Sequence, residues 1–410
     1  MSSASASKTR VGSVDVLKFL LALAILLLHA GQTFGGDTYH MQMGGVAVEA
    51  FFVISGCLMC MSAEKDAQHS ERTLGEDTAS FLWRKVKGLL VPYVVTVVIY
   101  FACWFPTSGA NVYAESGWTG LFTRVLDFVP DVLLVFMAGI LQNEALVKAT
   151  WYISAMLIAM LVTYPLVRRF GKNYTLIIAP LVALLLMGFI YNNGGGSYKG
   201  TTEYLIFLPW GLFRAFIGIN LGCVAYELSQ RLRSLDVTVF SKVLLTIAAA
   251  LLCVISFWVM EYGSERSCYS LVLLLPFLVG ILFSQQMAGD AVFNNAFCYY
   301  LGKASTYIYL YHAAIRKYLT SFNIELTYQQ AVIVLFVGSF AMFVVTDLIE
   351  RLLCWIFAGH NIKVSRLFVH QHDEAPEEAT PAEALLAPEE PTDELTSPSE
   401  SDVSAEKAVA

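Results

Sequence analysis

The chain has 410 residues, 57% of them apolar and only 14% charged, with a mean hydropathy of +0.60 and a formal charge of −7. Soluble domains carry about a quarter charged residues, so this composition excludes a water-soluble enzyme, and no nucleic-acid partner is expected. Apolar runs of spanning length recur without strict apolar/polar alternation, which excludes a β-barrel and predicts an all-α polytopic membrane protein.

In chain order, "MSSASASKTR" is polar, and the first apolar run lacks a cleavage site, so it reads as a retained helix rather than a signal peptide. Residues 1–12 form a cytoplasmic N-terminal segment in this reading. Ten spans are predicted near 13–34, 44–63, 87–105, 149–167, 173–191, 204–228, 241–260, 268–287, 299–319 and 328–357. The stretch 128–147 is apolar but short and interrupted, and it reads as a re-entrant or interfacial piece or an eleventh span. Apart from 106–130 the outer loops are short, and "NNGGGSYKG" (192–200) reads as a flexible turn. The eight cysteines show no disulfide framework, and "CLMC" (Cys57, Cys60) lies within an apolar helix, where small polarizable packing residues are expected.

Loop cations set the orientation. With the N-terminus in the cytoplasm, the inner segments collect Lys65, Arg72, Arg84, Lys85, Lys87, Arg168, Arg169, Lys172, Arg231 and Arg233, while the outer loops keep few cations. An even number of spans returns the C-terminus to the cytoplasm. Residues 371–410 hold twelve Asp/Glu and one Lys, a net −11, so the preceding residues carry +4. That Pro-, Glu- and Ser-rich end places a disordered acidic tail at 359–410, after a membrane domain at 13–358.

Ionisable groups inside spans are costly and normally face a cavity or a partner. Lys18 and His29 lie eleven residues apart in "DVLKFLLALAILLLHAG", which puts them on one helix face about 16 Å apart along the axis. Glu49 opens the second span at a depth similar to His29. A carboxylate there can orient an imidazole and raise its basicity, as the third member of a catalytic triad does. Arg84, Lys85 and Lys87 precede the third span, where they satisfy the positive-inside rule, touch anionic lipid, or hold the phosphates of an anionic cosubstrate. Arg214 falls near mid-membrane without an obvious acidic neighbour in its span, which favours a binding role over packing.

Five segments together resemble the acyltransferase-3 family of integral-membrane acyltransferases. They are "DVLKFLLALAILLLHAG", with a basic-x10-His spacing; "GVAVEAFFVISGCLM", like an FFVISGxL signature; "FLWRKVKGLLVPY"; "LFRAFIGINLGCVAY"; and "YLGKASTYIYLYHAAI". They occur in the family's order and cover residues 13 to about 357. Where many bacterial members carry Trp-Ser-x-Ser-x-Glu, this chain has "TWYISAMLIAMLVTYPLV": Trp151, Ser154 and Pro165 are present and the acid is not. The basic residue in the first helix is Lys instead of Arg, and the last span ends "IERLL" without Glu-x-Pro.

The resemblance implies transfer of an acyl group, with acetyl expected, from acyl-CoA to a hydroxyl of a sugar, glycan or other cell-envelope acceptor at the plasma membrane. It implies His29 as general base or acyl carrier, with Lys18, Glu49 and Arg214 in the catalytic set. Lys18, Arg84, Lys85, Lys87 and Ser55 would bind acetyl-CoA, Trp151 and His312 the acceptor, and no metal is implied. The alternative from another class is a transporter or flippase of a small anionic or glycan-related substrate, since buried charges also line permeation pathways.

Overall fold

A computed structural model describes residues 10–36, 39–140 and 146–358. The expected tail at 359–410 and most of the expected N-terminal segment lie outside the described residues. Among the described residues the architecture is all-α apart from one two-residue antiparallel ladder, β1 (Tyr204–Leu205) with β2 (Leu208–Pro209).

The helices are α1 (Gly12–Phe34), α2 (Ala47–His69), α3 (Leu74–Trp104), α4 (Ala110–Leu126), α5 (Val129–Val132), α6 (Trp151–Phe170) and α7 (Ala179–Asn193). They continue with α8 (Trp210–Arg233), α9 (Val239–Tyr262), α10 (Glu265–Ser284), α11 (Asp290–Phe293), α12 (Ala296–Ser321) and α13 (Tyr328–Ala358). All ten predicted spans are helices. Nine described segments are long and apolar enough to cross a membrane. The remaining predicted span, α12, has the length but carries Lys303, His312, Arg316 and Lys317. Among its described residues the stretch 128–147 forms no helix of spanning length: they hold the single turn of α5 and a short turn at Phe136–Ala138. The expected long loop at 106–130 is largely helical, because a π-helical turn at Phe105–Gly109 links α3 directly to α4.

α3 begins well before the predicted 87. Thr73 and Glu76 form a reciprocal capping box, Thr73 Oγ1 accepting from the Glu76 amide and the Glu76 carboxylate accepting from the Thr73 amide at 2.9 Å. That box satisfies donors the first helical turn would leave bare, so Arg84, Lys85 and Lys87 sit inside α3 instead of before it.

In lipid, helices associate through close packing and interhelical hydrogen bonds, since the tails are as apolar as leucine. Small residues set the α2–α8 crossing accordingly. A Cβ on Gly56 would lie 2.3 Å from the Ile219 carbonyl oxygen, and one on Gly222 would lie 2.5 Å from that of Val53. The two helices run parallel, with Glu49 beside Arg214 at one end and the Cys60 and Cys223 sulfurs 3.4 Å apart further along. α1 and α12 also run parallel. Asp15 packs on Gly302 near their starts, and Arg316 reaches Thr33 near their ends. We call the end of the bundle where α1 begins the near end, and the other the far end.

Candidate active site

α1 and α12 bring two imidazoles together toward the far end. The His29 and His312 rings stack with centroids 5.4 Å apart and planes 14° from parallel. His29 Nδ1 lies 2.9 Å from Gln32 Oε1, one turn along α1. An amide oxygen only accepts, so Nδ1 carries the proton and Nε2 is left as a base. His312 has the same tautomer for a similar reason: its Nδ1 donates to the Ile308 carbonyl at 2.8 Å.

A cavity of about 350 Å³ opens beside this pair, and His29, Trp151, Arg214 and His312 all line it. Tyr309 also lines it, fixed by a hydrogen bond from its hydroxyl to the Ala149 carbonyl at 2.8 Å. The loop after α7 contributes Tyr198, Lys199 and Thr201. That loop is anchored where flexibility was expected. The Tyr198 amide donates to Glu265 at 2.8 Å, the Gly211 amide to the Thr201 carbonyl at 2.7 Å, and Arg214 to the Gly200 carbonyl at 3.0 Å. Its glycines still serve the turn, with positive φ at Gly195 and Gly196.

Glu49 does not meet His29. It is 0% exposed and pairs with Arg214, itself 2% exposed, through Nε and Nη2, each 2.6 Å from Oε1. Matched depth fixes only the height of two side chains. The azimuth of Glu49 is set by the close packing of α2 on α8, where Gly218 lets Phe52 and the Glu49 backbone approach. Arg214, expected without an acidic neighbour, finds one on a different helix. Its remaining contacts are the Gly45 carbonyl at 3.2 Å and the faces of Trp151 and Tyr198, 5.0 and 5.4 Å from the guanidinium carbon.

The other candidates stand off the cavity wall. Lys18 is near the near end, 3.3 Å from Asp15, which also takes Arg10 at 2.5 Å. Arg84 pairs with Asp66 at 2.8 Å, and Tyr164 donates to the same carboxylate at 2.6 Å. Lys85 and Lys87 lie over the rings of Phe81 and Trp83 at 5.6 and 5.9 Å. Ser55 shares a 3.3 Å hydrogen bond with the Tyr152 hydroxyl, behind the cavity. On α1 the cavity begins at Ile25, so the packed turns between Lys18 and His29 separate the basic cluster from the imidazoles. Gln32, Tyr198, Lys199, Tyr309 and Arg316 line the cavity and were not singled out from sequence. Arg316 carried a readable signal, four residues after His312 and therefore on the same helix face.

Among the described residues no three His, Cys, Asp or Glu side chains are grouped so as to hold a metal. No curated protein and no solved structure matches the chain. A family model described as an acyltransferase domain matches residues 11–351, a range that contains the stacked imidazoles, the Glu49–Arg214 pair and the basic near-end cluster. The chain belongs to the acyltransferase-3 family and is a multi-pass membrane acyltransferase.

Proposed function

We propose that this acyltransferase moves an acetyl group from acetyl-CoA to a hydroxyl of a sugar, glycan or other cell-envelope acceptor, with His29 at the reacting centre. The observation that carries the reading is His29 itself, on the wall of the cavity with its Nδ1 proton held by Gln32 and its Nε2 left as a base. Acting as general base, Nε2 takes the proton of the acceptor hydroxyl as its oxygen attacks the thioester carbonyl carbon. A carbon–oxygen bond forms, the carbon–sulfur bond breaks, and the proton passes to the leaving thiolate. Alternatively His29 first takes the acyl group and then hands it to the hydroxyl.

Arg214, in the lining of the same cavity, supports this chemistry. Glu49, Gly45 and Gly200 occupy four of its five N–H groups, which leaves one Nη1 hydrogen for a developing oxyanion. Glu49 then acts as a positioning residue for Arg214. Trp151 and His312 shape the acceptor side. At the near end Lys18, Arg84, Lys85 and Lys87 are the candidates for the CoA phosphates, and Lys85 lies within Coulombic range of Lys18 and Arg84. An extended pantetheine arm is long enough for the ~16 Å along α1 from Lys18 to His29, and in this reading the packed turns between them part to admit it. In this reading the membrane is the plasma membrane, residues 13–358 are the catalytic domain, and both termini are cytoplasmic, including the acidic tail at 359–410.

Purified protein in detergent with labelled acetyl-CoA tests the assignment. His29→Ala is expected to lower CoA release by about 10²- to 10⁴-fold while leaving CoA affinity intact. Arg84→Ala with Lys87→Ala should instead weaken CoA binding about tenfold, since each removes a charge-assisted contact to phosphate. Equal loss of CoA affinity in both variants would remove the separation of roles.

A further inference from the structure

Two polar groups on α12 are not used by the transfer step. His312 is 1% exposed, and its Nδ1 proton is committed to the Ile308 carbonyl. Its Nε2 is therefore an acceptor only, and it is buried with no hydrogen-bond partner, on a ring that belongs to the lining of the His29 cavity. A buried acceptor without a donor is costly, so this atom is one that a donor entering beside the ring would satisfy. Arg316 follows one turn later on the same face and also lines the cavity.

The cavity's cations differ in how their charge is balanced. Arg214 has Glu49, and Lys199 has Glu265 at 3.1 Å. Arg316 makes a 3.4 Å contact to Thr33 Oγ1 and has no carboxylate within ion-pair distance among the described residues. A guanidinium stays charged at any physiological pH, and one set in a membrane-spanning bundle without a counter-charge marks a binding function. Its planar fork matches the two oxygens of a carboxylate or phosphate.

We propose that the acyl acceptor is an anionic polyol: Arg316 holds its carboxylate or phosphate, and a hydroxyl beside the reacting one donates to Nε2 of His312. This rests on the acyltransfer reading above and names its acceptor class. Side chains four apart on a helix have Cβ atoms about 5–6 Å apart, so the anion and the recognised hydroxyl are separated by only a few bonds. A sugar acid or a polyol phosphate has that spacing and fits a cavity of about 350 Å³. His29, stacked on His312, is left for the reacting hydroxyl.

The test is ligand-induced thermal stabilisation of the purified full chain, using glucuronate against glucose and glycerol 1-phosphate against glycerol. At least one anion should raise the melting temperature of the native protein and of His29→Ala, while its neutral counterpart does not. The two anions distinguish a carboxylate source from a phosphate source. Arg316→Gln should lose the shift, with apparent affinity falling at least about tenfold, as expected for a lost charge-assisted contact. Without ligand it should melt no lower than native. Arg316→Lys, which keeps a point charge without the fork, should retain part of the shift. The proposal is overturned if the neutral compounds stabilise equally, if Arg316→Gln keeps the shift, if neither anion binds, or if Arg316→Gln is itself destabilised. Binding is read without turnover, so a failure of CoA release in native protein counts against the acyltransfer reading alone.

Discussion

Arg214 and Glu49 form a fully buried ion pair between α8 and α2, a contact that is costly to break. Breaking such a pair from one side leaves an uncompensated buried charge, at about 3–5 kcal/mol. Glu49→Gln is therefore expected to destabilise by that amount, and the double variant Glu49→Leu with Arg214→Met to recover much of the loss. Denaturation in detergent measures both. If Glu49→Gln melts like native protein and only turnover falls, the carboxylate acts in the chemistry and not as the counter-charge of Arg214. Both residues were legible as ionisable groups inside spans, and both belong to ordered motifs. Their partnership was not legible, because helical spacing gives depth while the azimuth depends on which neighbour packs against each face.

At the scale of elements, the stripe of glycines explains how that pair comes together. A Cβ at Gly56 would sit 2.3 Å from the Ile219 carbonyl oxygen, a backbone atom that cannot rotate away. Gly56→Ala should therefore push α2 from α8 and cost about 1–3 kcal/mol or more, with lowered thermal stability and weakened Glu49–Arg214 coupling in a double-mutant cycle. The capping box of α3 is a milder case: Thr73→Ala should cost about 1 kcal/mol and leave the far-end cavity untouched. Most elements were legible from apolar run length. What run length missed has a physical cause in each case. The early start of α3 is written in a polar cap, whereas the span read at 299–319 is a helix, α12, although Lys303, His312, Arg316 and Lys317 make it less apolar than the others. The segment 192–200 looked like a plain turn because its anchors, Glu265 and Arg214, lie far along the chain.

For the whole molecule, α12 decides the topology. If it crosses the membrane, the crossings are ten; if it does not, α13 emerges on the other side. Two sets of contacts run it alongside α1 for the length of that helix, as a crossing helix would be. Its start lies with the start of α1, where Gly302 meets Asp15, and its end lies with the end of α1, where Arg316 meets Thr33. α13 then returns antiparallel along it: the Gly338 position approaches Ile315, Tyr311 meets Thr346 at 2.6 Å, and Tyr307 meets Glu350 at 3.1 Å. Lys303 and Asp347 close the same ladder near its near-end limit. α13 thus ends at the end of the bundle where α1 begins. The near end also holds Arg10, Lys18, Arg84 and Lys303, in keeping with the proposed orientation, in which the positive-inside rule turns that end to the cytoplasm. A single cysteine introduced at Ser2 and another at Ala410 should both resist a membrane-impermeant maleimide in intact cells and react after permeabilisation. One at Gly196 should react in intact cells. Labelling of position 410 but not position 2 in intact cells would mean that α12 does not cross, and the acceptor site on it would then open to the wrong side for an envelope substrate.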